Sequence, residues 1–270
     1  MNCSFEIVVC GSAVPDPLQT LEPLLGPQGP CLKNEALLPG ILDPWAGHAL
    51  FEAARLAQEA PPSRVHLVAV GPKGKLQQVL MSVAQRARFE LVAVDTTASG
   101  FAEPAEVAGA LAQAIQGIPG IDKQRLLLFG GWESASRGAG ATLSMTGELL
   151  GIQEQFQGVD RLTVNPDGSF EILERLLGGS HQVSVCSGPP AVFGWATGTL
   201  PEPVQNPQIG MANMRTALPA LQRASRADLP SAGVSFESLR VPGQQRSTLV
   251  VNDKDPDWVA RDIVAWIHES

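Results

Sequence analysis

The sequence contains no tyrosine, and only 5% of its residues are aromatic. The missing phenol removes one common proton donor from any acid–base scheme. Cysteine is scarce too: Cys3, Cys10, Cys31 and Cys186 are the full set. None forms a Cys-x-x-Cys pair, and their spacing fits no zinc template. Cys10 and Cys186 lie in apolar runs, which suits buried free thiols. A reducing, cytoplasmic setting without a disulfide framework is therefore expected. The four histidines (His48, His66, His181, His268) are scattered along the chain. That suits surface or packing roles better than a shared metal. No apolar run approaches the roughly 18–20 residues of a membrane span. The first residues, MNCSFEIVVCGS, have no basic leader and enter a strand pattern at once, so no signal peptide is expected. Positive charge is in deficit, with 19 Lys and Arg against 27 Asp and Glu and a formal net charge of −8. Such a surface is poorly suited to nucleic acid or anionic membranes.

What is present is alternation. The chain has 270 residues, 44% of them hydrophobic, enough for a sizeable core in one large or two small domains. Phe5–Ser12 reads as a buried strand ending in a small-residue turn. Residues 14–40 are rich in Pro, Gly and Leu and read as an irregular excursion or a hairpin. Asp43 then stands as an N-cap with Pro44 at the first helical position, where its missing N–H costs nothing. Further strands are expected at RVHLVAVG, FELVAVD and RLLLFGG. Helices are expected over about 74–87, 104–116 and 141–150. Continuous apolar strands alternating with helices predict an α/β fold, a doubly wound and mostly parallel sheet. After residue 160 the pattern changes. Pro166-Asp167-Gly168 signals a hairpin and Gly178-Gly179 a second turn, so this region through Ala196 is expected to add antiparallel strands at the sheet edge. The division expected is residues 1–200 as the nucleotide-binding α/β domain with its hairpin, and 201–270 as an extended arm. That arm carries one helix near 212–224 and a terminal helix whose Trp258, Ile263, Trp266 and Ile267 suggest an apolar face.

Ligands of open parallel sheets bind beyond the carboxyl ends of the strands. Here those ends are small residues or helix starts: Cys10–Ala13, Asp43–Ala46, Val70–Pro72 and Gly130–Thr142. Backbone N–H groups at helix starts attract anions without basic side chains, which would suit an adenine nucleotide on the loop 136–142. Small residues at tight strand–helix turns explain the same pattern, and both readings stand at this level. Nucleophilic catalysis has little support. The stretches GGSH (178–181) and VCSGPP (185–190) place Ser or Cys near His, but neither forms a Gly-x-Ser-x-Gly elbow. On the arm, Met211 and Met214 flank Ala212-Asn213, with Ile209 and Gly210 before them. Methionines on such a segment make adaptable contacts, and a core-facing helix start fits equally well.

Together these pieces resemble the β subunit of electron transfer flavoproteins, over nearly the whole chain. VVCGSAVPDP is similar to that family's first strand and Val-Pro-Asp turn. LDPWAGHALFEAARL resembles its Asn-Pro-initiated helix, and LVAVGPKGKLQQVLMSVA the strand, Gly-Pro and helix that follow. LLLFGGWESASRGAGATLSMTGELLG resembles the nucleotide loop, ERLLGGSHQVSVCSGPPAVFGWA the Gly-Gly turn and Pro-Ala-Val strand, and PEPVQNPQIGMANM the partner-recognition loop. The resemblance implies an electron carrier rather than an enzyme, of a divergent bacterial kind. It implies a heterodimer with an electron transfer flavoprotein α subunit that holds most of the FAD. Electrons would come from a flavin dehydrogenase met transiently and leave to a quinone-linked acceptor. The family's β subunit buries AMP as a structural ligand, or a second FAD in bifurcating members. By motif position, the matching cofactor-binding residues are Cys10, Asp43, Pro44, Trp45, Ala46 and Val70. The loop Ser136, Arg137, Gly138, Ala139, Gly140, Ala141 and Thr142 completes the set. Pro17 and Trp45 match flavin-proximal positions, and Ile209, Gly210, Met211, Ala212, Asn213 and Met214 match the partner-docking loop.

The departures are local. Where the family carries Asp-x-Asp-Thr-Gly-Gln, this chain has SRGAGAT, with one extra residue in the loop. The usual Asn at the helix start is Asp43, which cannot donate a hydrogen bond when ionised. The recognition loop lacks its Arg-Tyr pair and Leu anchor. These changes count against AMP, and against a bifurcating second FAD. They point away from the common acyl-CoA dehydrogenase as partner. Two other readings remain from this sequence: a stand-alone, stress-protein-like adenine-nucleotide binder, and a structural subunit that has lost its nucleotide.

Overall fold

Strand β1 (Glu6–Pro15) buries both of its faces. Ile7 and Val9 pack in one apolar cluster, Val8 and Cys10 in another. Successive side chains of a strand point to opposite sides, so a continuous apolar run needs cover on both. The computed structural model describes residues 4–26, 29–97, 101–136, 138, 140–224, 226–229, 233, 237–238, 240 and 250–269.

After β1 come a small hairpin, β2 (Pro23–Gly26) and β3 (Gly29–Leu32), and the short β4 (Gly40–Leu42), antiparallel to the end of β1. The chain then alternates through α1 (Pro44–Glu59), β5 (Arg64–Gly71), α2 (Lys73–Val83), β6 (Glu90–Asp95), α3 (Pro104–Gln116), β7 (Leu126–Gly131) and α4 (Thr142–Leu149). Next are β8 (Glu154–Val164), β9 (Phe170–Arg175), β10 (His181–Cys186), β11 (Ala191–Trp195) and α5 (Pro207–Arg223). Among the described residues these strands form a nine-stranded sheet, ordered β10-β9-β8-β11-β7-β1-β5-β6, with β4 on β1. Six neighbours, from β8 through β6, run parallel, and β9 and β10 are antiparallel to them. The α/β, doubly wound architecture with an antiparallel addition is the one expected.

One side of the sheet is covered by α1, α2 and α5, through Leu50, Leu56, Leu76, Leu80, Ala217 and Leu221. The other is covered by α3 and α4, through Ala110, Leu111, Ile115 and Leu143. Full burial of each large aliphatic side chain is worth about 1.5–3 kcal/mol, so these stripes hold the helices in place. The few aromatics are concentrated. Phe129, Phe193, Trp195 and Phe170 are fully buried. The rings of Phe129 and Trp195 lie 5.3 Å from each other, and those of Phe170 and Phe193 5.8 Å apart.

Two boundaries differ from the sequence reading. Strand β11 belongs to the parallel centre, between β7 and β8, and not to the antiparallel addition. Its sequence AVFGW is buried at every position, the mark of a strand covered on both faces. Helix α5 starts at Pro207, capped by the Asn206 side chain, which accepts from the Gln208 N–H at 3.0 Å. It thus begins about five residues before the expected point. The described chain forms two compact units, residues 1–239 and 240–270. The second contains α6 (Pro256–Glu269), with Trp258, Val259, Ile263 and Val264 exposed.

Candidate functional site

The winding of the sheet reverses at β1. From β1 the chain builds β5 and β6 on one side, then crosses back to place β7 on the other. Strand ends diverge at such a switch point, which leaves a crevice. A small cleft opens there. Its floor is Cys10 to Val14 from β1 and Gly130-Gly131 from β7. Val70 of β5, the start of α1, and Pro104, Val107 and Leu111 of α3 form walls. The loop after β7 supplies Glu133, Ser134, Ser136 and Gly140, and α4 supplies Thr142 and Leu143.

Small residues make this approach possible. A Cβ on Gly130 would lie 2.8 Å from Leu143 Cδ1, and one on Gly131 would lie 2.7 Å from the Glu133 carbonyl and closer still to Trp45 Cβ. Trp45 is half-buried and meets Trp132 edge to face, ring centres 6.3 Å apart.

Asp43 is the charged centre. It is only 4% exposed. Its Oδ1 accepts the Trp45 N–H at 3.0 Å, capping α1. Its Oδ2 accepts the Ala135 N–H at 2.9 Å, on the loop after β7. Burial pushes the Asp43 carboxyl above its ordinary range, against the backbone N–H groups of Ala135, Trp45 and Ala46 that hold it down; the Glu133 charge adds to the rise. The Cys10 thiol is pushed up to about 12 by burial, so it stays protonated and inert. Burial also lowers His48, beside Trp45, below the usual imidazole range.

The cleft brings together Cys10, Asp43, Ala46, Val70, Ser136, Gly140 and Thr142 of the sequence-derived cofactor set. Pro44, Trp45, Gly138 and Ala141 sit next to it without lining it, and Pro17 is exposed after β1. Arg137 and Ala139 lie outside the described residues. On α5, Met211 and Ala212 are exposed, Ile209 and Met214 half-buried, and Gly210 and Asn213 buried. Glu133 and the α3 wall were not singled out from the sequence. The start of α3 at Glu103-Pro104, just past a strand end, was the available signal, because it places a helix opening at the same edge of the sheet. The Ser–His pairs of the sequence do other work: His181 Nε2 lies 3.0 Å from Asp160 Oδ2, and Cys186 Sγ contacts the Gly188 carbonyl at 3.3 Å. Among the described residues no cluster of His, Cys, Asp or Glu could hold a metal ion, and no helix is long and apolar enough to cross a membrane.

A doubly wound sheet with this cleft and this hairpin agrees with one family comparison. The family model described as the electron transfer flavoprotein domain matches residues 34–229. The chain belongs to that family. No curated protein matches it. Electron transfer flavoproteins are electron carriers that bind flavin. Asp43 and Glu133 place carboxyl groups on the described lining, and Asp43 accepts the N–H groups of Trp45 and Ala135.

Proposed function

We propose that this chain is the β-type subunit of an electron transfer flavoprotein. It pairs with an FAD-carrying α subunit, receives electrons from a flavin dehydrogenase and delivers them to a quinone-linked acceptor. The observation that carries this reading is the family match over residues 34–229, laid on a fold whose β1, α1 and loop segments carry the β-like motifs. The FAD, when bound by the α subunit, supplies the reversible uptake of electrons. This chain's part is positional. Trp45, buttressed by Trp132, presents a flat apolar edge at the start of α1, suited to packing beside a flavin ring. The stretch 201–270 docks on partners: Met211 is 61% exposed on α5, and α6 exposes an apolar face suited to burial against another chain. AMP is disfavoured in the cleft by the same carboxylates that disfavour ATP, which weakens the stand-alone nucleotide-binder reading.

Co-expression with a flavoprotein α subunit tests this directly. A yellow 1:1 heterodimer, with flavin released on denaturation, is the expected product. A colourless, stable monomer that binds ATP would refute the proposal.

A further inference from the structure

We propose that the open edge of β10 pairs with β10 of a second copy of this chain, antiparallel about a two-fold axis at Ser184. This pairing does not depend on which subunit type the chain is.

The sheet has two ends. At one, the chain covers β6 itself: Asp95 bridges to Arg226, the Ala227 N–H donates to the Asp95 carbonyl at 2.8 Å, and α5 packs alongside. At the other, β10 has β9 as its one neighbour among the described residues. The Leu176 N–H donates to the Ser180 carbonyl at 2.9 Å, which makes these two a hydrogen-bonded pair of the β9–β10 hairpin. Bonded and non-bonded pairs alternate along an antiparallel ladder, so Gln182, Ser184 and Cys186 are the residues that bond β9. The N–H and C=O groups of His181, Val183 and Val185 therefore point away from β9, toward the open edge. Such an edge is a template for another strand, and proteins blunt it with lysine, proline or a bulge. Strand β10 has none of these: it reads HQVSVC, and its register with β9 is unbroken. Val183 and Val185 share one face, and both are exposed.

The edge is complementary to itself. With Ser184 opposite Ser184 of the second copy, Val183 falls opposite its Val185, and Val185 opposite its Val183. In both pairs the outward N–H and C=O groups meet, so four backbone hydrogen bonds close and the exposed valines cover one another. His181 falls opposite Ser187, so no like charges meet across the pair. The formal charge of −8 makes two copies repel over most of their surface. Strand β10 is a place where they can meet, since it contains no Lys, Arg, Asp or Glu. Glu171 and Glu174 of β9 would lie three strand spacings, about 14 Å, from their counterparts. That exceeds the screening length of about 8–10 Å. A two-fold contact also closes on itself and leaves no template for a third copy.

Sedimentation velocity of the full chain tests this. The wild type should dimerise with a Kd in the range of about 1–100 μM, as suits a small edge interface. Val185→Lys places an ammonium in both valine pairs and should weaken the dimer at least about tenfold. Ser184→Cys should give a disulfide-linked dimer on mild oxidation, beyond any that the wild type forms, because opposed Cα atoms of a non-bonded pair lie about 4.5 Å apart. That cross-link decides if Val185→Lys does not fold. A wild type still monomeric at about 500 μM, a dimer that Val185→Lys leaves intact, or no added cross-link in Ser184→Cys each overturns the proposal. So does a heterodimer with the α subunit that Val185→Lys weakens, since the edge would then belong to that partner. None of these outcomes alters whether the wild type gives a yellow heterodimer, so the subunit proposal and this one fail separately.

Discussion

His66 is 3% exposed on β5, with Nε2 3.7 Å from Glu6 and Nδ1 3.6 Å from Glu90. Neither distance is a hydrogen bond. Burial therefore prevails over the two carboxylates and lowers the imidazole below its usual 6.5. The unfolded chain then takes up the proton first as pH falls. His66 contributes stability above the ordinary value, and that contribution is lost as pH falls through the lowered folded value. One such site changes stability by at most about 1.4 kcal/mol per pH unit. Urea midpoints measured from about pH 7.5 down to pH 5 should fall more steeply for the wild type than for His66→Leu, which cannot titrate. Equal slopes would show that His66 keeps an ordinary pKa. At this scale the sequence was legible where chemistry is local. Asp43-Pro44 announces a cap, and the cap is there. That the other Asp43 oxygen reaches Ala135 was not legible, because the contact joins two strand ends that only the assembled sheet makes neighbours. Glu133 was missed for the same reason.

Helix α5 shows how an element can hold and offer at once. Asn213 is buried, and its Nδ2 donates to the carbonyls of Ala84 and Ala87 at 2.7 and 2.6 Å. Both alanines are buried in the segment that leaves α2, so one amide fastens α5 to that turn. Met211, two residues earlier, is 61% exposed. Asn213→Ala leaves two buried carbonyls without their donor and should cost about 1–3 kcal/mol in chemical denaturation. Met211→Ser should leave stability within about 0.5 kcal/mol of wild type and act only on partner affinity. The reverse pattern would exchange the structural and docking roles. Among the described residues, the six α-helices and most strands follow from periodicity and capping. Strand β11 did not, because a short apolar run carries no mark of its direction, and its partners β7 and β8 are distant in the chain.

For the whole molecule, the alternation of apolar runs and amphipathic segments was enough to give a doubly wound sheet, since few other arrangements cover both faces of every strand. The cleft's position followed from the same rule. Its charge did not, because a parallel sheet says where side chains converge and not which of them face the opening. The scarcity of aromatics has an optical consequence. With no tyrosine in the chain, near-ultraviolet emission belongs to five tryptophans. Trp195 is wholly buried, Trp45 and Trp132 are half-buried beside the cleft, and Trp258 and Trp266 are 38% and 69% exposed. Trp195→Phe should remove the bluest part of the emission band and leave the red shoulder of α6 in place. Docking of a flavin-bearing partner near Trp45 should dim the middle component first. The protein thus carries a fluorescence readout of its core, its cleft and its terminal helix, with no label attached.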